Sequence, residues 1–257
     1  MRNIKLTLCY DGAAFHGWQQ QDNADTVEAA LKAALRRLLG EDVKPVSCSR
    51  TDAGVHAEMF VCNFKTESDR ENEKLLRGLN ALLPPAVAVT GCEDAKPEYH
   101  ARYDCCGKEY RYLIWNSPVR NPFLNGRALH VPYALDAQRM HSAAQLFCGT
   151  HDFPAYCASG SEVKTKVRTV TACSVRREGE LITFSVRGNG FLYNMVRIMV
   201  GTLLSLSAGG LDETDILRSL ETGNRSDAGP TAKPEGLYLY KVFYEEDDFN
   251  EGTTQKN

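Results

Sequence analysis

Long apolar runs are missing from this chain of 257 residues. No stretch approaches the ~20 consecutive apolar residues that a membrane-spanning helix needs. The N-terminal segment becomes polar at Asp11 and lacks the apolar region of a signal peptide. These absences predict a cytoplasmic protein that has no membrane partner.

Paired cysteine spacings are missing as well. The nine cysteines are scattered along the chain, and none of them forms a Cys-x-x-Cys pair. The adjacent Cys105 and Cys106 do not fit the spacing of zinc ligands. We therefore expect reduced thiols in a reducing compartment and no bound metal.

The chain has no overall excess of positive charge, since its net charge is −3. The charge is unevenly spread: residues 245–257 hold five acidic side chains and one lysine, whereas residues 162–187 hold six basic and three acidic ones. Residues 99–127 hold five basic and two acidic side chains, interleaved with aromatic rings. Stacking rings beside cations suit single-stranded or looped RNA. A solvated surface over core aromatics is equally compatible with this pattern.

The periodicity of the chain predicts two halves of similar plan. Residues 1–104 and residues 105–244 each alternate strands with two helices, which indicates an α+β fold of two ferredoxin-like (split β-α-β) halves. Such halves are expected to join into one mainly antiparallel sheet with a central cleft. Residues 245–257 form an acidic tail that we expect to be disordered.

Two helices are predicted in enough detail to test. The first covers roughly residues 26–39, with Asp25 and Glu28 as a capping box and Gly40 as its end. The second covers roughly residues 191–207. Its apolar side chains lie on most of its circumference, which is typical of a buried helix.

Arg197 lies in the middle of that second helix. A buried arginine is costly unless a carboxylate or several acceptors meet it, so we expect Arg197 to have an acidic partner. The alternative is an arginine whose charged end reaches the surface.

The segment Arg50–His56 combines a turn signal with charged side chains. An Asp-x-Gly step between two apolar runs is typical of a turn. A purely structural turn rarely has an arginine two residues before its aspartate and a histidine four residues after it. Loops on rigid scaffolds also tend to carry catalytic residues. Asp52 is therefore either a turn residue or a catalytic carboxylate, and the residues alone leave both open.

Several segments of the chain match motifs of one enzyme family, in the family order. They are Tyr10–Gln19, Ser49–Ala57, Lys108–Tyr112, His151–Phe153, Gly190–Arg197 and Gly236–Leu239. In these motifs the chain resembles the tRNA pseudouridine synthases of the A type, and the likeness covers nearly the whole sequence. The chain departs from the family at Ser49, where glycine is usual, and at Lys233, which separates an alanine and a proline that are usually adjacent.

The resemblance implies an isomerase that converts uridine to pseudouridine at positions 38 to 40 of the tRNA anticodon stem-loop. The family works as a homodimer on tRNA. The reaction breaks the bond from ribose to uracil N1 and rejoins the base through C5. Because nothing is oxidised or hydrolysed, the reaction requires no cofactor.

The resemblance also implies roles for particular residues. Asp52 is the catalytic carboxylate, acting as nucleophile or as acceptor of a sugar proton. Arg197 is expected within ~4 Å of it as an ion-pair partner. Tyr110 stacks on the extruded uracil, although a lone tyrosine on a strand is often a core residue. Arg50 positions the RNA, or else anchors the turn, and His56 is expected to be a hydrogen-bonding loop residue.

Charge alone nominates further RNA contacts, namely Lys108, Arg111, Lys164, Lys166 and Arg168. Two other functions stay open at the level of residues. One is a non-catalytic RNA-binding protein of the same fold, in which Asp52 is a turn residue. The other is a small-molecule hydrolase that uses Asp52 with His56, although no second acid or metal-ligand cluster accompanies them.

Overall fold

The computed structural model describes residues 1–160 and 163–250, and it divides into two compact units. Unit 1 comprises Met1–Cys106 and Tyr238–Glu245. Unit 2 comprises Gly107–Leu237 and the residues from Glu246 onward. None of the helices within these described ranges has the length and apolarity that a bilayer crossing requires.

Unit 1 begins with four strands and two helices. Its elements are β1 (Arg2–Tyr10), α1 (Val27–Leu39), β2 (Val46–Ser47), β3 (His56–Thr66), α2 (Asn72–Leu82) and β4 (Val87–Ala95). β1 pairs antiparallel with β3 on one side and with β4 on the other, and β2 pairs antiparallel with β3. Alternate residues of β1, namely Ile4, Leu6 and Leu8, are fully buried. This period of two places one face of the sheet in the core.

The first helix is capped one residue later than the sequence predicts. The side-chain oxygen of Thr26 accepts a hydrogen bond from the amide N–H of Ala29, and the backbone of Thr26 is extended. Thr26 therefore takes the N-cap position predicted for Asp25. Glu28 accepts the amide N–H of Gln20 instead of closing a capping box. Gly40 ends the helix as predicted, in the left-handed region at φ 75°.

Between Gly107 and Thr222, the described residues of unit 2 form five strands and three α-helices. They are β5 (Gly107–Asn116), β6 (Leu129–Val131), α3 (Ala137–Ala144), β7 (Gly149–Asp152), β8 (Val167–Glu178), β9 (Leu181–Gly188), α4 (Met195–Ser207) and α5 (Glu213–Thr222). β9 lies between β5 and β8, antiparallel to both, and β7 extends the sheet antiparallel to β8. β6 pairs parallel to β5. Together with unit 1, this confirms the predicted α+β class with mainly antiparallel pairing.

The last strand, β10 (Leu237–Phe243), groups with unit 1 for all but its first residue. Tyr238 and Leu239 pair parallel with His56 and Ala57 at the start of β3. This differs from the predicted division, which placed the last strand with residues 105–244. A parallel pairing between segments about 180 residues apart leaves no signal in local periodicity.

The acidic tail begins with a short helix, α6 (Glu246–Asn250). Arg187 donates a hydrogen bond from Nη1 to the backbone oxygen of Phe249 at 3.1 Å, so this part of the tail is held in unit 2. The expectation of disorder is therefore wrong for residues 246–250. Residues 251–257 lie outside the described residues.

Candidate active site

Asp52 lies in the loop of unit 1 that leads from β2 to β3. The amide N–H of Val55 donates to the backbone oxygen of Asp52 at 3.1 Å, which closes a four-residue turn. Gly54 occupies the left-handed region at φ 79° inside that turn. The Asp-Ala-Gly-Val turn predicted from the sequence is therefore present, and it holds Asp52 half-buried while Arg50 is exposed.

A second loop, residues 11–18, holds the Asp52 loop through backbone hydrogen bonds. The amide of Trp18 donates to the oxygen of Thr51 at 3.2 Å, and the amide of Gly54 donates to the oxygen of Phe15 at 3.2 Å. The hydroxyls of Tyr10 and Thr51 form a buried hydrogen bond at 2.9 Å. The turn that presents Asp52 is thus fixed by at least three bonds from outside itself.

Two glycines make this close approach possible. A Cβ on Gly12 would lie 2.0 Å from the backbone oxygen of Val55. A Cβ on Gly17 would lie 2.4 Å from the backbone oxygen of Thr51, and Gly17 also has a left-handed φ of 87°. Any side chain at either position would push the two loops apart. This explains physically why the motif Tyr10–Gln19 accompanies the Asp52 loop.

His56 anchors the end of the same loop. Its imidazole is buried, stacks on the ring of Tyr238 at 4.5 Å, and accepts the amide N–H of Gly12 at Nδ1 at 3.0 Å. An Asp11 carboxylate oxygen also lies 3.2 Å from Nδ1. Because an amide N–H only donates, Nδ1 accepts the Gly12 bond with its lone pair. This bonding fits the expected loop role of His56.

Tyr110 lies on β5 in unit 2 and is 7% exposed. The ring of Phe191 meets it edge-on, with centroids 5.1 Å apart. Two residues further along the strand, Tyr112 is fully buried and donates its hydroxyl to the backbone oxygen of Lys233 at 2.6 Å. Burial raises the pKa of the Tyr112 hydroxyl well above its usual range, so Tyr112 acts as a donor.

Arg197 lies on α4, whose other side chains are mostly buried. Its guanidinium is half-buried and donates from Nε to the oxygen of Ala232 at 2.7 Å and from Nη1 to Oδ1 of Asn194 at 2.7 Å. Arg197 is therefore fixed in direction by its own unit.

The predicted start of the Arg197 helix is wrong by four residues. α4 begins at Met195 because Asn194 has a left-handed backbone with φ 61°, which a helix cannot contain. Phe191 and Leu192 are apolar and enter the packing from a loop, which is why their pattern resembled a first helical turn. Tyr193, which falls inside the predicted helix, is instead an exposed residue before its start.

A segment at residues 228–236 packs tightly along α4. A Cβ on Gly201 would lie 1.7 Å from the oxygen of Pro230, and the amide of Gly229 donates to Oγ1 of Thr202 at 2.9 Å. The departure from the family pattern at Lys233 falls in this segment. Its carbonyl is the acceptor for Tyr112, so the backbone there is held despite the inserted residue.

A sequence model of a family described as tRNA pseudouridine synthase matches residues 8–104 and 143–245. Those ranges include Asp52, His56 and Arg197, whose surroundings are described above. The chain belongs to the tRNA pseudouridine synthase family.

Relatives within this family match almost end to end. The tRNA pseudouridine synthase A of Acetivibrio thermocellus is 45% identical over 244 residues, which is 95% of this chain and 100% of the relative. The enzyme of the same name from Ruminiclostridium cellulolyticum is 44% identical over 245 residues, again 95% and 100%. The tRNA pseudouridine synthase A of Methylacidiphilum infernorum is 43% identical over 95% of this chain and 96% of that protein.

Family membership decides the class of activity. The chain is an isomerase of the pseudouridine synthase type, so the alternatives of a non-catalytic RNA-binding protein and of a hydrolase are set aside. Among residues 1–160 and 163–250, no group of three or more histidine, cysteine or acidic side chains is placed to hold a metal ion.

The basic residues predicted to contact RNA differ in their exposure to solvent and in their hydrogen bonds within the protein. Arg111 donates to a Glu109 carboxylate oxygen at 3.2 Å, and Arg187 donates to the other oxygen at 3.0 Å. Arg168 is half-buried and donates to two backbone oxygens, and burial lowers its pKa. Lys164 is exposed, while Lys108 and Lys166 are half-buried.

Proposed function

We propose that this enzyme isomerises uridines 38 to 40 of the tRNA anticodon stem-loop, using the carboxylate of Asp52 and no cofactor. The observation that carries the proposal is the way in which Asp52 is presented. A carboxylate that must meet one atom of a bulky substrate gains from a rigid turn, because effective orientation lowers the barrier. The close backbone approach at Gly12 and Gly17, two hydrogen bonds from the loop of residues 11–18 and one from Tyr10 supply that rigidity.

The proposed chemistry conserves every atom of the nucleotide. Asp52 adds as a nucleophile to the detaching sugar or base, or accepts a sugar proton, while the bond from C1′ of the ribose to N1 of uracil breaks. The uracil turns over and forms a bond from C5 to C1′, which releases Asp52 or is accompanied by return of the sugar proton. The C5 proton then leaves to a base, and N1 gains a proton. No electrons are exchanged with another molecule, so the side chains of this protein suffice.

Arg197 is proposed as the cation that keeps Asp52 ionised during the reaction. An ion pair within ~4 Å would favour the charged form of the carboxylate. Support comes from the fixed direction of the guanidinium, which two acceptors of its own unit hold. Arg197→Met removes that positive charge, so the acid limb of the pH–rate profile should move to higher pH.

Tyr110 and Arg50 are proposed to hold the target nucleotide. Extruding a base from its stack costs a few kcal/mol, and an aromatic face offsets part of that cost. The Tyr110 ring, set on a strand and braced by Phe191, offers such a face, and its hydroxyl is the proposed acceptor of the C5 proton. The exposed Arg50 guanidinium suits contact with a backbone phosphate.

RNA contacts elsewhere are proposed to be carried by Lys108, Arg111, Lys164, Lys166 and Arg168. The intramolecular bonds of Arg111 and Arg168 make the three lysines the stronger candidates. We further propose that the enzyme acts as a homodimer in the cytoplasm, so that one tRNA arm is held between two subunits.

The proposed substrate is tested with tRNA transcripts that retain a single uridine in the anticodon arm, labelled with tritium at C5. Transcripts with that uridine at 38, 39 or 40 should release tritium to water in the presence of the enzyme. A transcript with its only labelled uridine in the T arm is the control and should release none. Equal release from all transcripts would contradict the proposed position specificity.

A further inference from the structure

Tyr193 is an aromatic residue of unit 2 that the proposed mechanism does not use. Its side chain is 49% exposed. Within residues 1–160 and 163–250, neither its hydroxyl nor its ring has a hydrogen bond or a ring contact. Its neighbour Leu192 is buried, as is Met195 at the start of α4. The ring of Tyr193 is thus turned outward from an otherwise well-packed segment.

The backbone on both sides fixes this outward direction. Asn194 is the one non-glycine residue with a positive φ among the described residues, and its side chain accepts a hydrogen bond from Nη1 of Arg197. The carbonyl of Tyr193 accepts the amide N–H of Ala158 at 3.0 Å. A non-helical turn supported by such bonds costs more than a simple helix extension, and this kind of arrangement is common at functional sites.

Tyr193 is also connected to the proposed RNA-binding residues in two directions. Phe191, two residues before it, meets the ring of Tyr110 at 5.1 Å. Three residues before Tyr193, an added Cβ on Gly190 would lie 3.6 Å from Nε of Arg168, which is another proposed RNA contact. The loop that carries the exposed ring therefore adjoins the proposed uracil-stacking tyrosine and a proposed phosphate-binding arginine.

We propose that Tyr193 stacks on the base of a nucleotide next to the target uridine in the tRNA. Extrusion of the target leaves the face of a neighbouring base without its stacking partner, and an exposed tyrosine ring restores that contact. Stacking on an aromatic ring tolerates any base, because every base has a π face. Such tolerance suits an enzyme whose target uridines have different neighbours. This inference rests on the proposed function.

The test measures binding of fluorescently labelled tRNA by the full-length protein. Tyr193→Ala should weaken binding by roughly 5- to 20-fold, because one base loses its stacking partner. Tyr193→Phe keeps the ring and should bind within about 2-fold of wild type. Tyr133→Ala is the matched control, since Tyr133 lies in the same unit and is 51% exposed. All variants should have the same melting temperature.

A second arm of the test identifies the base. Two tRNAs are used, one with an abasic site on the 5′ side of the target uridine and one with it on the 3′ side. For one of these tRNAs, Tyr193→Ala should no longer lower the affinity relative to wild type. Binding by Tyr193→Ala that equals that of Tyr133→Ala, or no rescue by Tyr193→Phe, would overturn the inference. So would a change in oligomeric state, measured by light scattering, in place of a change in RNA affinity.

Failure of the proposed function gives a different result. If wild type does not bind the tRNA at all, both the proposed substrate and the role of Tyr193 are wrong. If Asp52→Asn keeps wild-type activity, the catalytic assignment fails, whereas the binding comparison between Tyr193→Ala and Tyr133→Ala still holds.

Discussion

Gly12 and Gly17 each bring the backbone of the loop formed by residues 11–18 against the loop that carries Asp52. The turn itself could be predicted, because an Asp-x-Gly step between apolar runs is a local signal. The contact that holds the turn could not, since it joins backbone atoms of residues far apart in sequence. At the scale of single residues, the candidate site therefore depends on the lack of a side chain at Gly12 and Gly17 as much as on Asp52.

Gly17→Ala should lower both stability and activity. The left-handed backbone costs alanine about 1–2 kcal/mol, and the new Cβ would in addition displace the backbone at Thr51. We expect the rate of pseudouridine formation to fall at least about 10-fold as the turn moves. Urea denaturation and single-turnover tritium release measure the two effects.

Gly40→Ala is the control, because Gly40 has φ 75° and no atom within 4 Å of an added Cβ. Urea denaturation should show only the destabilisation caused by the left-handed backbone, and the rate of pseudouridine formation should be unchanged. Equal rates of pseudouridine formation by the Gly17 and Gly40 variants would mean that the loop of residues 11–18 does not position Asp52.

The elements of the fold agree with the sequence where periodicity is strong and differ from it at their ends. α1 ends at Gly40 as predicted, but its N-cap is Thr26, because two neighbouring polar residues offer nearly equivalent caps. α4 begins four residues late, because the left-handed Asn194 interrupts an apolar pattern that would otherwise continue as a helix. Such boundaries depend on side-chain hydrogen bonds that the pattern does not contain.

The packing of α4 against residues 228–236 predicts an unusual response to a helix-favouring substitution. Gly201→Ala gains about 1 kcal/mol of helix propensity, but its Cβ would overlap the backbone oxygen of Pro230. Since backbone must move, we expect a net loss of about 2 kcal/mol in the free energy of unfolding, measured in urea.

Gly78→Ala in α2 is the matched comparison. Its Cβ would meet only the end of the Leu38 side chain, which is able to rotate away. Its stability should stay within about 1 kcal/mol of wild type, because the propensity gain offsets the small rearrangement. A Gly201 variant as stable as the Gly78 variant would show that residues 228–236 are not held against α4.

At the scale of the whole molecule, the sequence predicts the class and the two-part plan but not the assignment of the last strand. β10 completes unit 1 through a parallel pairing with β3, and no local pattern distinguishes that partner from any other strand. Net charge is equally uninformative by itself. A chain with net charge −3 nonetheless carries local groups of basic side chains that suit an RNA backbone.

Binding of tRNA should depend steeply on salt in spite of that net charge. Each lysine that neutralises a phosphate contributes about 0.7–0.9 to the slope of log affinity against log salt. Lys164→Gln and Lys166→Gln should each reduce the slope by roughly that amount. Lys74→Gln, at an exposed lysine already paired with Glu71 at 3.1 Å, should leave it unchanged. Identical slopes for all three variants would exclude Lys164 and Lys166 as phosphate contacts.

The proposed catalytic role of Asp52 is tested most directly by measuring how fast the Asp52→Asn variant releases tritium from C5-labelled uridine in tRNA. This variant keeps the size of the side chain and removes its charge, and Asp69→Asn makes the same change at an exposed position. We predict that Asp52→Asn releases tritium at least about 1,000-fold more slowly than wild type while tRNA affinity and the Asp69→Asn rate are preserved. Release by Asp52→Asn within about 10-fold of wild type would contradict the assignment of this carboxylate as the catalytic group.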